Sequence, residues 1–160
     1  MDMPQDQSTP TAIPPGRTPT PTLMLESSFI VQADMPVYLP NFAHPSTGCD
    51  WMGVAGQVFD SNGHEIHEMT IMLGNALSTE EQLSAARTGL APAYGPGGYE
   101  IQISENPFDS SDFIWVQVYN PAGSAVSKIF YFDTFNDCTR NLILINFIPE
   151  INPNQPAPND

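Results

Sequence analysis

The segment Gly53–Leu73, GVAGQVFDSNGHEIHEMTIML, constrains the fold of this chain more than any other part of its sequence. It consists of an apolar run that ends at Asp60, an Asn62-Gly63 turn and a second apolar run. Asn-Gly between two apolar runs is the strongest short-range signal for a β-hairpin, because both residues tolerate a positive φ. The segment therefore predicts a small β-sandwich, and it contains no catalytic signature.

Alternation of apolar and polar residues predicts further strands along the chain. One side of the longest of them is entirely aliphatic (Ile114, Val116, Val118), with Phe113, Trp115, Gln117 and Tyr119 opposite. The final apolar segment is expected to be a central strand covered on both faces, or a strand held against the leading one. The predicted strands are Phe29–Gln32, Trp51–Asp60, Met69–Leu73, Tyr99–Ile103, Phe113–Tyr119, Ser127–Phe132 and Leu142–Ile148. Short strands separated by Gly, Pro and Asn turns indicate an all-β, Ig-like or prealbumin-like sandwich of about seven strands.

Three local irregularities accompany this pattern. Gly56 in the first strong strand suggests a close approach of another backbone. Ile66 falls out of register with the strand that follows it, which predicts a bulge near His67-Glu68. Ser78–Gly89 has a capping-box pattern (Ser78 with Glu81) and a terminal glycine, so a short helix is expected there, with an ordered loop as the alternative.

Both ends of the chain are rich in proline and poor in apolar residues, and many of its 17 prolines lie there. Such segments cannot bury enough surface to offset their ordering entropy. The sequence therefore predicts a disordered Pro/Thr-rich spacer over residues 1–28, a sandwich domain over 29–148 and a disordered tail over 149–160. Within the spacer, Thr18–Thr22 has the composition of a stiff polyproline II segment.

The formal net charge of the chain is −14, and residues 29–148 carry thirteen acids against three bases. Nucleic acids and anionic membranes are bound by clustered Lys and Arg, so neither is an expected partner. No stretch of eighteen apolar residues is present, which argues against direct membrane insertion. Met1-Asp-Met-Pro lacks the basic start and apolar core of a signal peptide, so an exported protein would require a targeting segment that this sequence does not contain.

The two cysteines, Cys49 and Cys138, directly precede the first strong strand and the last one. If these strands are neighbours entered from the same end of the sandwich, the two thiols come within bridging range. We expect a disulfide and hence an extracellular or cell-surface location; the alternative is a pair of buried free thiols in a cytosolic protein.

The sequence contains Val54-x-Gly56-x-Val58-x-Asp60-x-x-Gly63, followed by Met69-x-Ile71-x-Leu73 and Gly98-Tyr99-x-Ile101. This pattern resembles carboxypeptidase regulatory-like domains, which are seven-stranded sandwiches of the transthyretin (prealbumin) type. A wider set of segments consists of Asn41–Pro45, Gly48–Asp60, Tyr94–Glu100, Phe132–Thr134 and Asn141–Phe147. In these segments the chain is similar to uncharacterised bacterial cell-surface and secreted proteins with a Thr-Pro spacer. The resemblance spans about residues 29–148 and implies a fold and a location but no activity.

Two patterns invite a metal hypothesis and neither is convincing. In His64-Glu65-Ile66-His67-Glu68 the histidines are three residues apart, whereas a zincin needs four on a helix, so solvated turn residues are the better interpretation. Asp60-Ser-Asn62-Gly63 begins like a calcium loop, but Ile71 stands where the twelfth-position glutamate is required. The scattered acids of the later loops are interpreted as surface carboxylates, and no metal or cofactor is expected: Glu105, Asp109, Asp112, Asp133 and Asp137.

Aromatic side chains provide the candidate binding surface. Trp115 and Tyr119 share the outward side of their strand, and Tyr94 lies in a Gly/Pro-rich turn, so the three are candidate ligand-binding residues. Such residues, including Trp51 and Tyr99, more commonly pack in the core of a sandwich. An exposed aromatic patch would indicate an interaction site, for example for sugars.

Catalysis is not expected. No Gly-x-Ser-x-Gly elbow occurs, and the Gly-rich turn before Tyr99 lacks the Lys-Ser/Thr of a phosphate loop. The sequence therefore predicts a non-catalytic extracellular module that is structural or adhesive on a bacterial cell surface, with a cell-surface protein or polysaccharide as its partner. The alternatives are a carbohydrate-binding module that uses exposed aromatic residues and a calcium-dependent adhesion domain.

Overall fold

The computed structural model describes residues 28–151. This part of the chain contains ten β-strands and two short 3₁₀ turns, at Glu80–Gln82 and Pro92–Tyr94. No helix within it is long and apolar enough to cross a membrane. The strands are β1 Phe29–Val31, β2 Val37–Leu39, β3 Met52–Gln57, β4 Thr70–Asn75, β5 Ser84–Arg87, β6 Gly98–Ser104, β7 Ser110–Tyr119, β8 Phe130–Thr134, β9 Leu142–Leu144 and β10 Phe147–Pro149.

Eight of these strands form two four-stranded sheets. The first sheet has the order β2-β9-β3-β6 and the second sheet has the order β5-β4-β7-β8, while β1 and β10 pair in a separate ribbon. All pairs are antiparallel except β3 with β9, which run parallel. The predicted all-β sandwich is confirmed. The strand count is ten rather than about seven, because β2 and β5 were not predicted and the final apolar segment divides into β9 and β10.

The core lies between the two sheets and is built from the predicted alternating faces. Tyr99 is fully buried in it, and its hydroxyl donates a 2.8 Å hydrogen bond to the carbonyl of Ile145. Burial raises the pKa of this hydroxyl. Phe113 packs against the core rather than on the opposite side, because a register shift before Ile114 accompanies a positive φ of 52° at Asp112. The aliphatic core residues of the long strands are Met52, Val54, Val58, Met69, Ile71, Leu73, Ile101, Ile114, Val116 and Val118.

The Asn62-Gly63 turn is present. The Asp60 carboxylate accepts hydrogen bonds from the backbone N–H groups of Asn62 and His64, at 2.8 and 2.9 Å. Gly63 supplies the positive φ of 83°. A second turn, Asn120–Ser124, repeats this geometry, with Gly123 at φ 89° and the Asn120 side chain accepting from the Ser124 N–H at 2.9 Å. Both turns follow from a side-chain acceptor at the first position and glycine at the fourth.

The two runs joined by the first turn do not form a long hairpin. Only Phe59 and Glu65 pair across it, and the chain then crosses from the first sheet to the second. Glu68 adopts a positive φ of 65° within this crossing, where the bulge was predicted. The local turn signal was right, but strand partners depend on long-range packing, which places β3 between β9 and β6.

The helix expected over Ser78–Gly89 was a wrong prediction. Only Glu80–Gln82 is helical, as a single 3₁₀ turn, and Ser84–Arg87 forms the edge strand β5 against β4. The backbone N–H of Thr79 donates to the Gln82 side chain at 3.0 Å, so the capping interaction is shifted one residue from the predicted one. Pairing with β4 outweighs the helix preference of Ala85, Ala86 and Arg87, because intrinsic helix propensities differ by only a few tenths of a kcal/mol per residue among ordinary residues.

The final apolar segment divides into two strands. β9 is a central strand between β2 and β3, and β10 pairs with the leading strand β1, so each expectation for this segment holds for one half of it. Gly56 lies against the backbone of Ile145, where any Cβ would overlap the carbonyl group, which confirms the predicted close approach. Strand β10 includes Pro149, one residue beyond the predicted end of the domain at 148. The tail predictions otherwise lie outside the described residues.

Candidate functional site

A disulfide joins Cys49 and Cys138, as expected, with Cα atoms 5.1 Å apart and a sequence separation of 89. The physical reason is the one that the sequence indicated: β3 and β9 are parallel neighbours, with Gly53 opposite Leu142, so the residues before both strands meet at one end of the sheet. The bond leaves no free cysteine in the described chain. A native disulfide is typical of proteins that work outside the reducing cytosol.

Asn141 strengthens this end of the first sheet. It is fully buried, and its side-chain amide donates to the carbonyls of Gly48 and Trp51 at 3.0 and 2.9 Å. Trp51 is only 4% exposed and packs over Gly53, where a Cβ would overlap the indole ring. The segment before β3 is therefore fixed over the outer face of the first sheet by a covalent bond, two hydrogen bonds and a buried indole.

Tyr94 belongs to the same outer face. It packs against the small apolar cluster of Trp51, Ala55 and Leu142, and its hydroxyl donates a 2.7 Å hydrogen bond to Glu100. Burial, together with this contact to a carboxylate, raises the pKa of the hydroxyl. Phe42 meets the Tyr94 ring edge-on at 5.7 Å between centroids and is 53% exposed.

His44 completes this arrangement. Its Nε2 contacts the same Glu100 carboxylate oxygen that accepts from Tyr94, and its ring lies 5.1 Å from that of Trp51. Histidine and tyrosine thus converge on one carboxylate of β6. These three side chains hold the loop to the sheet, and the arrangement was not predictable from the sequence because His44 and Glu100 are 56 residues apart.

Trp115 lies on the outer face of the second sheet, but it is not a stacking surface. Its side chain is 9% exposed, its Nε1 donates to the carbonyl of Asn75 at 3.2 Å, and a Cβ on Gly74 would meet both its ring and the Leu83 side chain. Leu83 follows the 3₁₀ turn directly and packs beside the indole. Trp115 is therefore buried, as is common for such residues, rather than part of an exposed platform, and Leu83, from the segment predicted as a helix, lies beside it.

Tyr119 is half-buried on the same face and lines a groove of about 410 Å³. Its hydroxyl lies 3.4 Å from the Gln117 side-chain oxygen, and Gln117 in turn donates to the carbonyl of Ser127 at 2.9 Å. Thr70 is its cross-strand partner. The groove is lined by Thr70, Met72, Glu80, Leu83, Tyr119, Asn120, Pro121 and Gly123.

The three aromatic candidates do not form one platform. Trp115 and Tyr119 belong to the second sheet, whereas Tyr94 packs on the first. Sequence reasoning identified Tyr119 but missed the residues around it. Thr70 and Met72 can be identified as groove residues only once β4 is known to pair with β7. Glu80 and Leu83 can be identified only once Ser78–Gly89 is known not to be a helix.

Among residues 28–151, no group of three or more His, Cys, Asp or Glu side chains is arranged to hold a metal ion. Two of the acids considered for calcium have local partners. Asp109 accepts from the N–H of Asn136 at 2.9 Å. Asp137 accepts from the hydroxyl and N–H of Thr139 and from Arg140, and these hydrogen bonds, those from Thr139 first, lower its pKa to about 2.

Comparison with known proteins defines no family. No family model matches the sequence, and no curated protein matches it. Among solved structures, the chain is similar to the dioxygenase domain of a dioxygenase carbohydrate-binding protein fusion from the cellulolytic bacterium Streptomyces sp. SirexAA-E. The match has 13% sequence identity and a TM-score of 0.43, and it covers 77% of this chain and 98% of that one. A likeness of this size carries no information on activity or ligand.

Proposed function

We propose that this chain is a non-catalytic, exported module that is displayed on a bacterial cell surface and interacts there with another protein or a polysaccharide. The observation that carries the proposal is the Cys49–Cys138 disulfide, which joins two parallel neighbouring strands of the first sheet. Disulfides persist in oxidising compartments and are rare in the cytosol. The acidic surface supports a partner other than nucleic acid or an anionic membrane.

The non-catalytic part of the proposal is supported by how the polar side chains are used. His44, Tyr94 and Glu100 bond to one another and to the loop that covers the first sheet. Asp60 and Asn120 shape turns, and Asn141 ties the disulfide region together. These groups stabilise the sandwich, which suits a rigid domain that presents a surface.

The relationship to carboxypeptidase regulatory-like domains is part of the same proposal. The residues that carry the resemblance have clear structural roles: Val54 and Val58 are core residues, Gly56 allows a close backbone approach, and Asp60 with Gly63 forms the turn. A sequence motif with such roles is consistent with a shared fold.

A carbohydrate-binding module is the second candidate, and one observation favours it. The second sheet carries an open groove with a half-buried tyrosine in its lining. Ligand sites typically combine an apolar surface with a few polar groups that fix orientation, and this groove has both.

The disulfide provides the test of the proposed location. Protein isolated from its native source, with thiols blocked at lysis and then denatured, is expected to show no reactive thiol, and added protease is expected to degrade it on intact cells. Two reactive thiols together with protection from protease until the cells are lysed would contradict the exported location. A cytoplasmic protein of known abundance serves as the control for cell integrity.

A further inference from the structure

We propose that the groove on the outer face of the second sheet is a subsite for one sugar ring of a neutral polysaccharide, with the Tyr119 ring as its stacking surface. The inference rests on the proposed role as a surface interaction module and specifies the substrate class of the carbohydrate-binding alternative. It is carried by the shape of the groove, the chemistry of its lining and the charge around it.

The apolar part of the groove suits the C–H face of a pyranose. Tyr119 and Met72 lie on the outer face of β7 and β4, and Leu83 and Pro121 add apolar surface from the segments next to the sheet. An aromatic ring presents a large, rigid apolar surface with a polar edge. The Tyr119 ring is already half-buried on the strand, so it has less conformational freedom to lose on binding than a fully exposed side chain.

Polar groups lie at the margin of this apolar surface. Thr70 and Glu80 line the groove, and neither side chain makes a hydrogen bond to another residue within 28–151. Asn120 also lines the groove; its side-chain oxygen accepts from the N–H of Ser124, and its amide NH₂ group is a donor. Hydroxyl donors and acceptors of a sugar would satisfy these groups.

The charge of the module restricts the kind of polysaccharide. Glu80 is the charged residue among those that line the groove, and no Lys or Arg is among them. Arg87, the cross-strand partner of Thr70, lies beside the groove without lining it. In a chain of net charge −14, a uronic, sulfated or phosphorylated glycan would be repelled. The favoured occupant is therefore neutral.

The size of the groove fits a subsite rather than a site for a long chain. Its volume of about 410 Å³ is near the lower end of the range of small-molecule pockets, roughly 300–1,000 Å³. The turn at Asn120–Gly123 and the 3₁₀ turn at Glu80–Gln82 both contribute lining residues, and the groove is open to solvent between them. A polysaccharide can pass over such a groove with one residue inserted.

The full chain provides the test, in depletion assays with insoluble cellulose, xylan and chitin as neutral polysaccharides and with alginate and heparin beads as anionic ones. The variants are Tyr119→Ala, Tyr119→Phe and, as the matched control, Tyr131→Ala. Tyr131 is 44% exposed on the same sheet and does not line the groove. Circular dichroism and melting temperature confirm that each variant is folded.

We expect the protein to be retained by at least one neutral polysaccharide, with affinity about tenfold lower in Tyr119→Ala, since losing a stacking contact costs about 1.4 kcal/mol. Tyr119→Phe and Tyr131→Ala are expected to stay within about twofold of the original affinity, because both keep the Tyr119 ring or its phenyl equivalent. Retention by none of the neutral polysaccharides, retention by anionic ones alone, or equal binding by Tyr119→Ala would overturn the inference.

Binding to intact cells of the native source separates this inference from the wider function. If the protein binds cells and Tyr119→Ala binds them equally, the sugar subsite is wrong while the surface interaction function stands. If neutral polysaccharide is bound through Tyr119 and cells are not bound, the subsite stands and the proposed cell-surface interaction is wrong.

Discussion

The outer faces of the two sheets are covered to different extents. On the first sheet, Trp51 and the loop before β3 lie over the strands, fixed by the Cys49–Cys138 disulfide and by the side chain of Asn141. On the second sheet, Leu83 covers Trp115, while Tyr119 and its neighbours line an open groove. The outer face of the first sheet is therefore covered, whereas part of the outer face of the second sheet is accessible.

The covered face therefore contributes mainly to stability, and the open face is available for interaction. A covered outer face buries apolar surface and contributes to the free energy of unfolding. An open face leaves side chains available to a partner at little cost to the fold. We therefore expect substitutions in the residues that cover the first sheet to reduce stability, and substitutions in the groove to reduce binding.

The largest expected effect is that of the disulfide. Replacing both cysteines (Cys49→Ser with Cys138→Ser) is expected to lower the free energy of unfolding by about 4 kcal/mol, because the bond closes a long loop in the unfolded chain. Urea unfolding followed by tryptophan fluorescence measures the change. Reducing agent added to the original protein should reproduce it and should leave the double variant unchanged. A loss below about 1 kcal/mol would mean that the loop is fixed by its noncovalent contacts alone.

The two aromatic residues of the second sheet are expected to differ clearly. Trp115→Ala should destabilise the protein by about 3 kcal/mol, since it removes a buried indole and leaves a cavity beneath Leu83. Tyr119→Ala should change stability by less than about 1 kcal/mol, because its side chain is half-exposed. Trp51→Ala on the first sheet is the matched comparison and should resemble Trp115→Ala. Similar losses for Trp115→Ala and Tyr119→Ala would show that the groove is part of the packed structure.

The smallest expected effect concerns acid. Hydrogen bonds from Thr139 and Arg140 lower the pKa of Asp137 from 3.8 to about 2. A lowered pKa in the folded state means that this contribution is present above pH 3.8 and is lost as the pH falls through about 2. Melting temperatures between pH 5 and pH 2 should therefore fall less steeply for Asp137→Asn.

Asp60 provides the internal comparison for this measurement. Its pKa is also lowered, mainly by the hydrogen bond from the N–H of His64, so Asp60→Asn should reduce the acid dependence in the same direction. Both carboxylates are partly exposed to solvent, so the effects are small and salt-sensitive. An identical pH profile for both variants and the original protein would show that these turns do not contribute to acid stability.

Much of the fold could be predicted because alternation of apolar residues is a local property. The buried faces of β4, β6 and β7 follow directly from Met69-x-Ile71-x-Leu73, Tyr99-x-Ile101 and Ile114-x-Val116-x-Val118. The turn at Asp60–His64 follows from one acceptor side chain and one glycine. The disulfide was predictable because both cysteines stand at the same position relative to their strands.

The local sequence did not determine which strands pair with each other. The sequence places an apolar run on each side of Asn62-Gly63, but it does not state that the chain changes sheets there, since pairing of β3 with β9 joins residues about ninety positions apart. The short strand β5 was hidden for the same reason: Ser84–Arg87 has no strand pattern of its own and is extended because β4 offers it an edge.

The candidate site therefore combines both kinds of information. By itself the sequence determined an acidic all-β chain with Tyr119 on the outward side of a strand. Only the tertiary structure decided that Trp115 is covered, that Tyr94 lies on the opposite sheet and that Thr70, Met72 and Leu83 surround Tyr119. The physical reason is that a side chain's direction is fixed by its own strand, whereas its exposure is fixed by segments distant in sequence.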